Sequence, residues 1–367
     1  MTPDHRPVRH VRDADELAAV CAALRQSAVV ALDTEFIRES TYYPQLCLVQ
    51  LADAELLVVV DALAVPDLAP LEALLADTRV LKVLHAARQD LEIFAHRMGA
   101  VPAPVFDTQV AASLLGHGDQ AGYAAVVQQL LGVALDKSLV RTDWAARPVP
   151  AAALDYAIDD VRYLLEIHRR LRDALAERGR LEWLESEFAA LARMDTYRVE
   201  PADAWRKVRG IQRLSGAQRG RVAALAAWRE RLAIELDRPR GWVLKDEVLV
   251  DLARGNPVDE TGLAAVRDMP PQVVKRRGSE LLVALRDAPE AEAARARLTP
   301  EQDALVDAMA ALVRLRATAE GIAPANLATR RELERLVQGE RGLGVLEGWK
   351  RATVGESLLG LLEGRPQ

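Results

Sequence analysis

Only two cysteines, Cys21 and Cys47, occur among 367 residues, so no disulfide framework staples this chain. Its six histidines lack the spacing of a structural zinc site. No run approaches the roughly 18 apolar residues of a membrane span. The N-terminus carries Asp4, Asp13, Asp15 and Glu16 where a secretory leader would have an apolar core. A glycine-rich phosphate loop of the Walker kind is also missing, which argues against an ATP-driven motor and a nucleotide cofactor. Together these absences point to a soluble protein of a reducing, cytoplasmic compartment. Lysine is scarce as well: six lysines accompany 42 arginines, the cation suited to bidentate phosphate contacts.

What is present describes a globular protein of two or three domains, because half of the residues are hydrophobic and 28% are charged. The charge is unevenly shared. Before Pro201 there are 20 basic residues against 30 acidic, and from there on 28 against 24, so the halves carry about −10 and +4. A basic half joined to an acidic one suggests that one part holds a polyanion while the other uses carboxylates. In the first half, apolar runs at Ala28 to Phe36, Leu46 to Leu51 and Leu56 to Val60 predict three sequential strands forming a meander. From Leu68, helical patterns alternate with strand-like ones: Leu68 to Leu75, Gln89 to Met98, Asp107 to Leu115, Tyr123 to Leu131 and Ala151 to Leu175 predict helices, and Val80 to Leu84 a strand. This half reads as a mixed sheet covered by helices.

Beyond Pro201 only helical patterns remain, punctuated at Pro239, Gly255-Asn256-Pro257, Pro289 and Gly321 to Pro324. A loose repeat runs through them. The long helical stretches from Leu214 to Pro239 and from Leu298 to Pro324 are offset by 84 to 85 residues, and Lys275-Arg276 with Gly278-x-x-Leu281-Leu282 recurs as Lys350-Arg351 with Gly355-x-x-Leu358-Leu359. Thr299-Pro300 and the Thr329-x-x-Glu332 capping box mark helix starts. Two related helical modules are expected.

Asp33 and Glu35 lie two apart near the end of the first strand, so both carboxylates project from one face. Such a like-charged pair calls for a divalent cation or a salt bridge to basic residues. Tyr156 and Asp160, at i and i+4 of a helix, stack a phenol and a carboxylate on one side, although the adjacent Asp159 is i+3 from the same tyrosine and spacing does not choose between them. Asp90 follows the strand ending at Leu84, near a helix start. Acids from three separate elements, each near an element end, could hold two hard cations such as Mg²⁺ or Mn²⁺ about 3.5 to 4 Å apart and hydrolyse a phosphodiester.

The residues resemble the DEDD exonucleases, in their ribonuclease D branch, over nearly the whole chain. Ala31-Leu32-Asp33-Thr34-Glu35-Phe36, continued by Thr41-Tyr42-Tyr43-Pro44-Gln45-Leu46, is similar to the first exonuclease motif. Leu84-His85-Ala86 with Asp90-Leu91-Glu92 resembles the second, and Tyr156-x-x-x-Asp160 the third in its tyrosine form. Leu135-Asp136-Lys137-Ser138 and Arg141-Thr142-Asp143-Trp144 also resemble that branch. The resemblance implies an α/β ribonuclease H-like 3′–5′ exonuclease domain at 1–200, an all-helical HRDC module at 201–290 and a second HRDC-like module at 291–367. It implies Asp33, Glu35, Asp90 and Asp160 as ligands of two divalent ions, with Tyr156 at the attacking water. It further implies 3′-to-5′ hydrolysis of RNA to 5′-mononucleotides, on structured precursors such as tRNA 3′ ends, by a monomer. Thr34, His85, Lys137, Arg141, Lys275, Arg276 and Arg277 are candidate contacts to RNA, and Trp144 is either a base-stacking ring or a core residue. Arg206, Lys207, Arg209, Arg213, Arg219 and Arg221 form a further basic cluster. A DNA-directed exonuclease on the same fold and a non-catalytic RNA-binding scaffold are the alternatives.

Overall fold

The computed structural model describes residues 5–136, 142–211, 214–289 and 297–364. Six strands, β1 (Val8–Val11), β2 (Val29–Ile37), β3 (Gln45–Ala52), β4 (Leu57–Asp61), β5 (Leu81–Leu84) and β6 (Val105–Asp107), form one sheet in the order β1-β4-β3-β2-β5-β6. The expected meander occupies its centre, with β3 and β4 antiparallel across a short hairpin. Crossovers then add β5 and β6, β5 parallel to β2 and β6 parallel to β5. The mixed sheet expected from the alternating strand and helix patterns is therefore present. Two edge strands escaped the sequence reading because each is too short to show a period: β1, parallel to β4, and β6, which takes Asp107 from the expected helix.

The helices of this half are α1 (Ala14–Leu24), α2 (Ala69–Ala76), α3 (Arg88–Met98), α4 (Thr108–Ser113), α5 (Tyr123–Leu131), α6 (Ala151–Arg162), α7 (Leu164–Glu177) and α8 (Leu181–Leu191). Strand alternation divides their packing between the two faces of the sheet. Val30, Leu32, Val58, Val60 and Leu84 join the core that contains Leu17 and Val20 of α1, Leu71 and Leu74 of α2, and Leu91 and Phe94 of α3. Ala31, Val59, Val83 and Phe106 face the core built from Val126 and Val127 of α5, Ala157 and Val161 of α6, and Ile167 and Leu171 of α7. Asp33 and Glu35 continue the Ala31 face, the one that α6 covers.

The long helical pattern from Ala151 is interrupted at Tyr163. There the Tyr123 hydroxyl donates to the Asp159 carbonyl at 3.0 Å and accepts from the Tyr163 N–H at 3.2 Å. Those two backbone groups are an i, i+4 pair that would otherwise bond each other, so an inserted side chain accounts for the break.

The basic half contains α9 (Gly216–Glu235), α10 (Arg240–Val243), α11 (Asp246–Gly255), α12 (Glu260–Ala264) and α13 (Pro271–Arg286). It continues with α14 (Pro300–Glu320), α15 (Pro324–Leu327), α16 (Arg330–Val337), α17 (Gly348–Lys350), a π turn at Arg351–Gly355, and α18 (Glu356–Leu362). The order of elements recurs: α9, α10 and α11 begin at 216, 240 and 246, and α14, α15 and α16 at 300, 324 and 330. Ser215, Thr299 and Thr329 each close a capping box.

Packing gathers the chain into two compact units. Among the described residues, one compact unit is drawn from 1–37, 46–197 and 298–367, the other from 38–45 and 198–297. In the first, Val306, Met309 and Val313 of α14 share the core of α4 to α7, and Trp349 stacks on Trp183 at 4.2 Å. Arg180 donates to the Glu320 carboxylate at 2.8 Å. In the second, the segment 38–45 is held through Tyr42, whose hydroxyl donates to Glu230 and whose N–H donates to Asp237. No helix among the described residues is long and apolar enough to cross a membrane.

Lys82 on β5 is fully buried, and its ammonium donates to the carbonyls of Asp77 at 3.0 Å and Ala103 at 2.7 Å. Burial lowers its pKa to about 8. An unfolded lysine releases its proton near 10.5, so between these values the unfolded chain binds more protons and stability rises with pH. Urea titrations at pH 7.5 and pH 10 should show the wild type gaining on Lys82→Met as pH rises. A pH-independent difference between the two proteins would refute this assignment.

Candidate active site

Strand β2 delivers Asp33 and Glu35, α3 delivers Asp90, and α6 delivers Tyr156 and Asp160. One carboxylate oxygen from each of Asp33, Glu35 and Asp160 lies within 4.8 Å of the others. Asp159, which spacing left as an alternative, pairs instead with Arg162 at 2.7 Å. The fourth acid, Asp90, is buried and accepts the Thr34 hydroxyl. The Thr34 hydroxyl thus gives its proton to a carboxylate.

Asp90 reaches this position through a turn that the sequence reading did not single out. After β5 the backbone passes through Ala86 at φ 56°, a left-handed conformation that costs a residue with a side chain. Buried Asp107 stabilises it, its carboxylate accepting the N–H groups of Ala86 at 3.1 Å and Ala87 at 2.9 Å, and that of Gln109 at 2.8 Å. One side chain therefore sets both the turn into α3 and the start of α4. The signal in the sequence was an Asp at a helix start, which local pattern reads as a cap and nothing more.

Burial and mutual repulsion dominate the electrostatics. Desolvation, followed by the charges of Asp90, Asp160 and Glu35, pushes Asp33 well above the usual carboxylate range. Glu35 is pushed up to about 8 by burial and then by Asp160 and Asp90. Burial and Asp159 raise Asp160 to about 7, and burial raises Asp90 to about 7 against the Thr34 hydrogen bond. Among the described residues none of the four is ion-paired. An all-oxygen donor set without a protein cation fits hard divalent ions such as Mg²⁺ or Mn²⁺. Tyr156 is driven up to about 12 by burial and by Asp160, Glu35 and Asp33, so its phenol is a neutral hydrogen-bonding group at physiological pH.

The remaining candidates are dispersed. His85 uses both ring nitrogens internally, Nδ1 with the Thr108 hydroxyl at 2.9 Å and Nε2 with the Ala121 carbonyl at 3.0 Å, and burial lowers its pKa. Trp144 is 6% exposed and its ring stacks against Tyr156, so of its two expected roles, base-stacking ring or core residue, the fold gives it the core one. Lys137, Arg141 and Arg213 lie outside the described residues. Lys275 and Arg276 on α13 are exposed, whereas Arg277 pairs with Glu280 at 2.8 Å and Glu235 at 3.5 Å. Arg206 pairs with Asp203, while Arg219 and Arg221 donate to the carbonyls of Leu214 and Ala253. Lys207 and Arg209 are exposed.

Comparison with known proteins agrees with this architecture. A family described as 3′–5′ exonuclease matches residues 8–176, and the HRDC domain matches residues 218–285. Ribonuclease D of Granulibacter bethesdensis is 39% identical over 96% of this chain and 92% of its own length, and that of Acidiphilium cryptum 40% over 97% and 93%. The chain belongs to the ribonuclease D family. The crystal structure of Escherichia coli RNase D superposes with a TM-score of 0.87 at 34% identity, covering 98% of this chain and all of the other. Membership in ribonuclease D, with its 3′–5′ exonuclease domain, makes this protein a 3′–5′ exoribonuclease.

An acid whose folded pKa lies above its unfolded value destabilises the fold as pH rises through that pKa. Asp160→Asn should therefore melt at a higher temperature than wild type at pH 8 without divalent ions, with the gap closing as pH falls toward 5. Mn²⁺ should raise the wild-type melting temperature more than that of the variant. Equal melting curves for the two proteins at pH 8 would contradict this electrostatic reading.

Proposed function

We propose that this exoribonuclease shortens RNA from a single-stranded 3′ end, one 5′-mononucleotide at a time, with two divalent ions held by Asp33, Glu35, Asp90 and Asp160. The observation that carries this reading is the desolvated group of carboxylates without a protein cation, set beside a phenol. Bound Mg²⁺ or Mn²⁺ would supply Lewis acidity, activating water and stabilising charge on the leaving oxygen. The chain's own contributions are positional. Thr34 holds Asp90 in place, the α6 spacing sets Tyr156 over Asp160, and the Tyr156 hydroxyl orients the attacking water by a hydrogen bond. At neutral pH this phenol keeps its proton and does not act as a general base.

The natural substrates we propose are structured RNA precursors, notably tRNA 3′ ends, processed by a monomer. The E. coli protein with the same architecture is described as an exoribonuclease involved in structured RNA processing. The excess of basic residues after Pro201 and the exposed Lys275 and Arg276 suit phosphate contacts without sequence choice.

A 5′-labelled RNA with a single-stranded 3′ tail, incubated with Mg²⁺, Mn²⁺ or chelator beside a matched DNA, tests the reading directly. The expected result is a metal-dependent ladder shortening from the 3′ end on RNA. Asp33→Asn should lower turnover at least ~10³-fold with RNA affinity nearly unchanged, and Tyr156→Phe should lower it ~10²-fold, in the range for a group positioned at a proton-transfer centre. Undiminished turnover by Asp33→Asn would sink the metal assignment, and preferential digestion of DNA would move the substrate to DNA.

A further inference from the structure

The Tyr156 hydroxyl makes no hydrogen bond among the described residues, so packing of its ring must set where the phenol stands. On one side that packing is supplied by Trp144, whose ring stacks against Tyr156 with centroids 6.3 Å apart and planes 30° from parallel. Trp144 lies in the irregular stretch 142–149 ahead of α6, whose described residues make no strand pairing or helical ladder. Something else must fix that segment to the sheet.

Arg147 does so. Its Nη1 donates to the Trp144 carbonyl at 2.7 Å and to that of Ala146 at 2.9 Å, and its Nη2 donates to the Cys47 carbonyl on β3 at 3.1 Å. The same guanidinium makes a two-point ion pair with Asp61 at the end of β4, Nε to Oδ2 at 2.8 Å and Nη2 to Oδ1 at 2.6 Å. Asp61 is itself held, its Oδ1 accepting the N–H groups of Leu63 at 3.2 Å and Ala64 at 3.3 Å. A planar fork satisfied on two sides is a rigid joint that lysine would not reproduce. Neither Arg147 nor Asp61 belongs to the acidic group, and neither was marked by the sequence.

We propose that Arg147 and Trp144 are positioning residues for the hydrolytic step: the Arg147–Asp61 pair pins Trp144, and Trp144 holds the Tyr156 ring so that its hydroxyl faces the attacking water. This rests on the role of Tyr156 proposed above. It predicts that loss of the latch acts on turnover through Tyr156 and leaves RNA binding largely alone.

A double-mutant cycle tests this, with Trp144→Leu, the milder Trp144→Phe, Arg147→Met and Arg147→Lys each made in the wild-type and Tyr156→Phe chains. In the wild-type chain, Trp144→Leu and Arg147→Met should lower kcat by about tenfold with KM changed by less than about twofold. In the Tyr156→Phe chain the same changes should cost less than about twofold, because residues acting through one group are not additive. Arg147→Lys should resemble Arg147→Met, and Trp144→Phe should retain most of the turnover. A second readout needs neither metal nor activity. In metal-free protein labelled with 5-fluorotryptophan, the ¹⁹F resonance assigned to Trp144 by its absence in Trp144→Phe should shift in Arg147→Met, while those of the other five tryptophans stay in place.

Equal losses of kcat in both chains, or a Trp144 resonance unmoved by Arg147→Met, would overturn the latch. Normal turnover by Tyr156→Phe would instead sink the reading on which it rests, and the two failures are told apart by that single variant. Loss of the whole ¹⁹F pattern in Arg147→Met would mark general unfolding, in which case an unshifted Trp144 resonance in the milder Arg147→Lys would overturn the proposal.

Discussion

Four carboxylates brought out of water beside one another are the constraint around which the nuclease unit is built. Burial makes each resist ionisation, and for Asp33, Glu35 and Asp160 other acids of the group add to the cost. A fold organised only for stability would separate them or give each an arginine, and this chain has 42 arginines available. None is spent on the four acids among the described residues, although several neutralise acids nearby: Arg162 pairs with Asp159, and Arg147 with Asp61. Some acids close to the group are ion-paired, while the four themselves have no protein cation beside them among the described residues.

Holding such a group together requires rigid supports, and these recur as single polar side chains tying backbone to backbone. Asp107 gathers N–H groups from two segments and so places Asp90. Tyr123 inserts its hydroxyl between Asp159 and Tyr163, ending α6 just past Asp160. Arg147 joins the chain before α6 to β3 and β4. Each bonds local groups that would otherwise be unsatisfied in a buried setting, so the supports themselves cost little.

The basic half works by different physics. Several of its arginines are consumed internally, Arg229 by Asp246, Arg277 by Glu280 and Arg221 by a backbone carbonyl, so a count of positive charge overstates what a polyanion would meet. Lys275 and Arg276, exposed on α13, and Lys207 and Arg209 nearer the start of the unit remain available for phosphate. Contacts of that kind supply affinity and salt dependence with little choice of sequence.

Much of this was legible in the linear sequence because it rests on short-range periodicity. A period of two placed Asp33 and Glu35 on one face, a period near four placed Tyr156 with Asp160, and Thr299 before Pro300 and the Thr329-x-x-Glu332 pattern marked two helix starts. Strands of three or four residues at the sheet edges left no such trace. The choice of Asp160 over Asp159 came from family resemblance, since the spacing of either from Tyr156 suits a helix. Only the folded chain decided that Asp159 would turn to Arg162, that Trp144 would be buried against Tyr156, and that His85 would use both nitrogens internally. It also decided that the described residues 298–364 would pack with the nuclease core. Local pattern determines which groups a segment presents, because it is set by backbone geometry within a few residues. Which distant group they meet depends on how separate segments share one buried volume, and no periodicity encodes that.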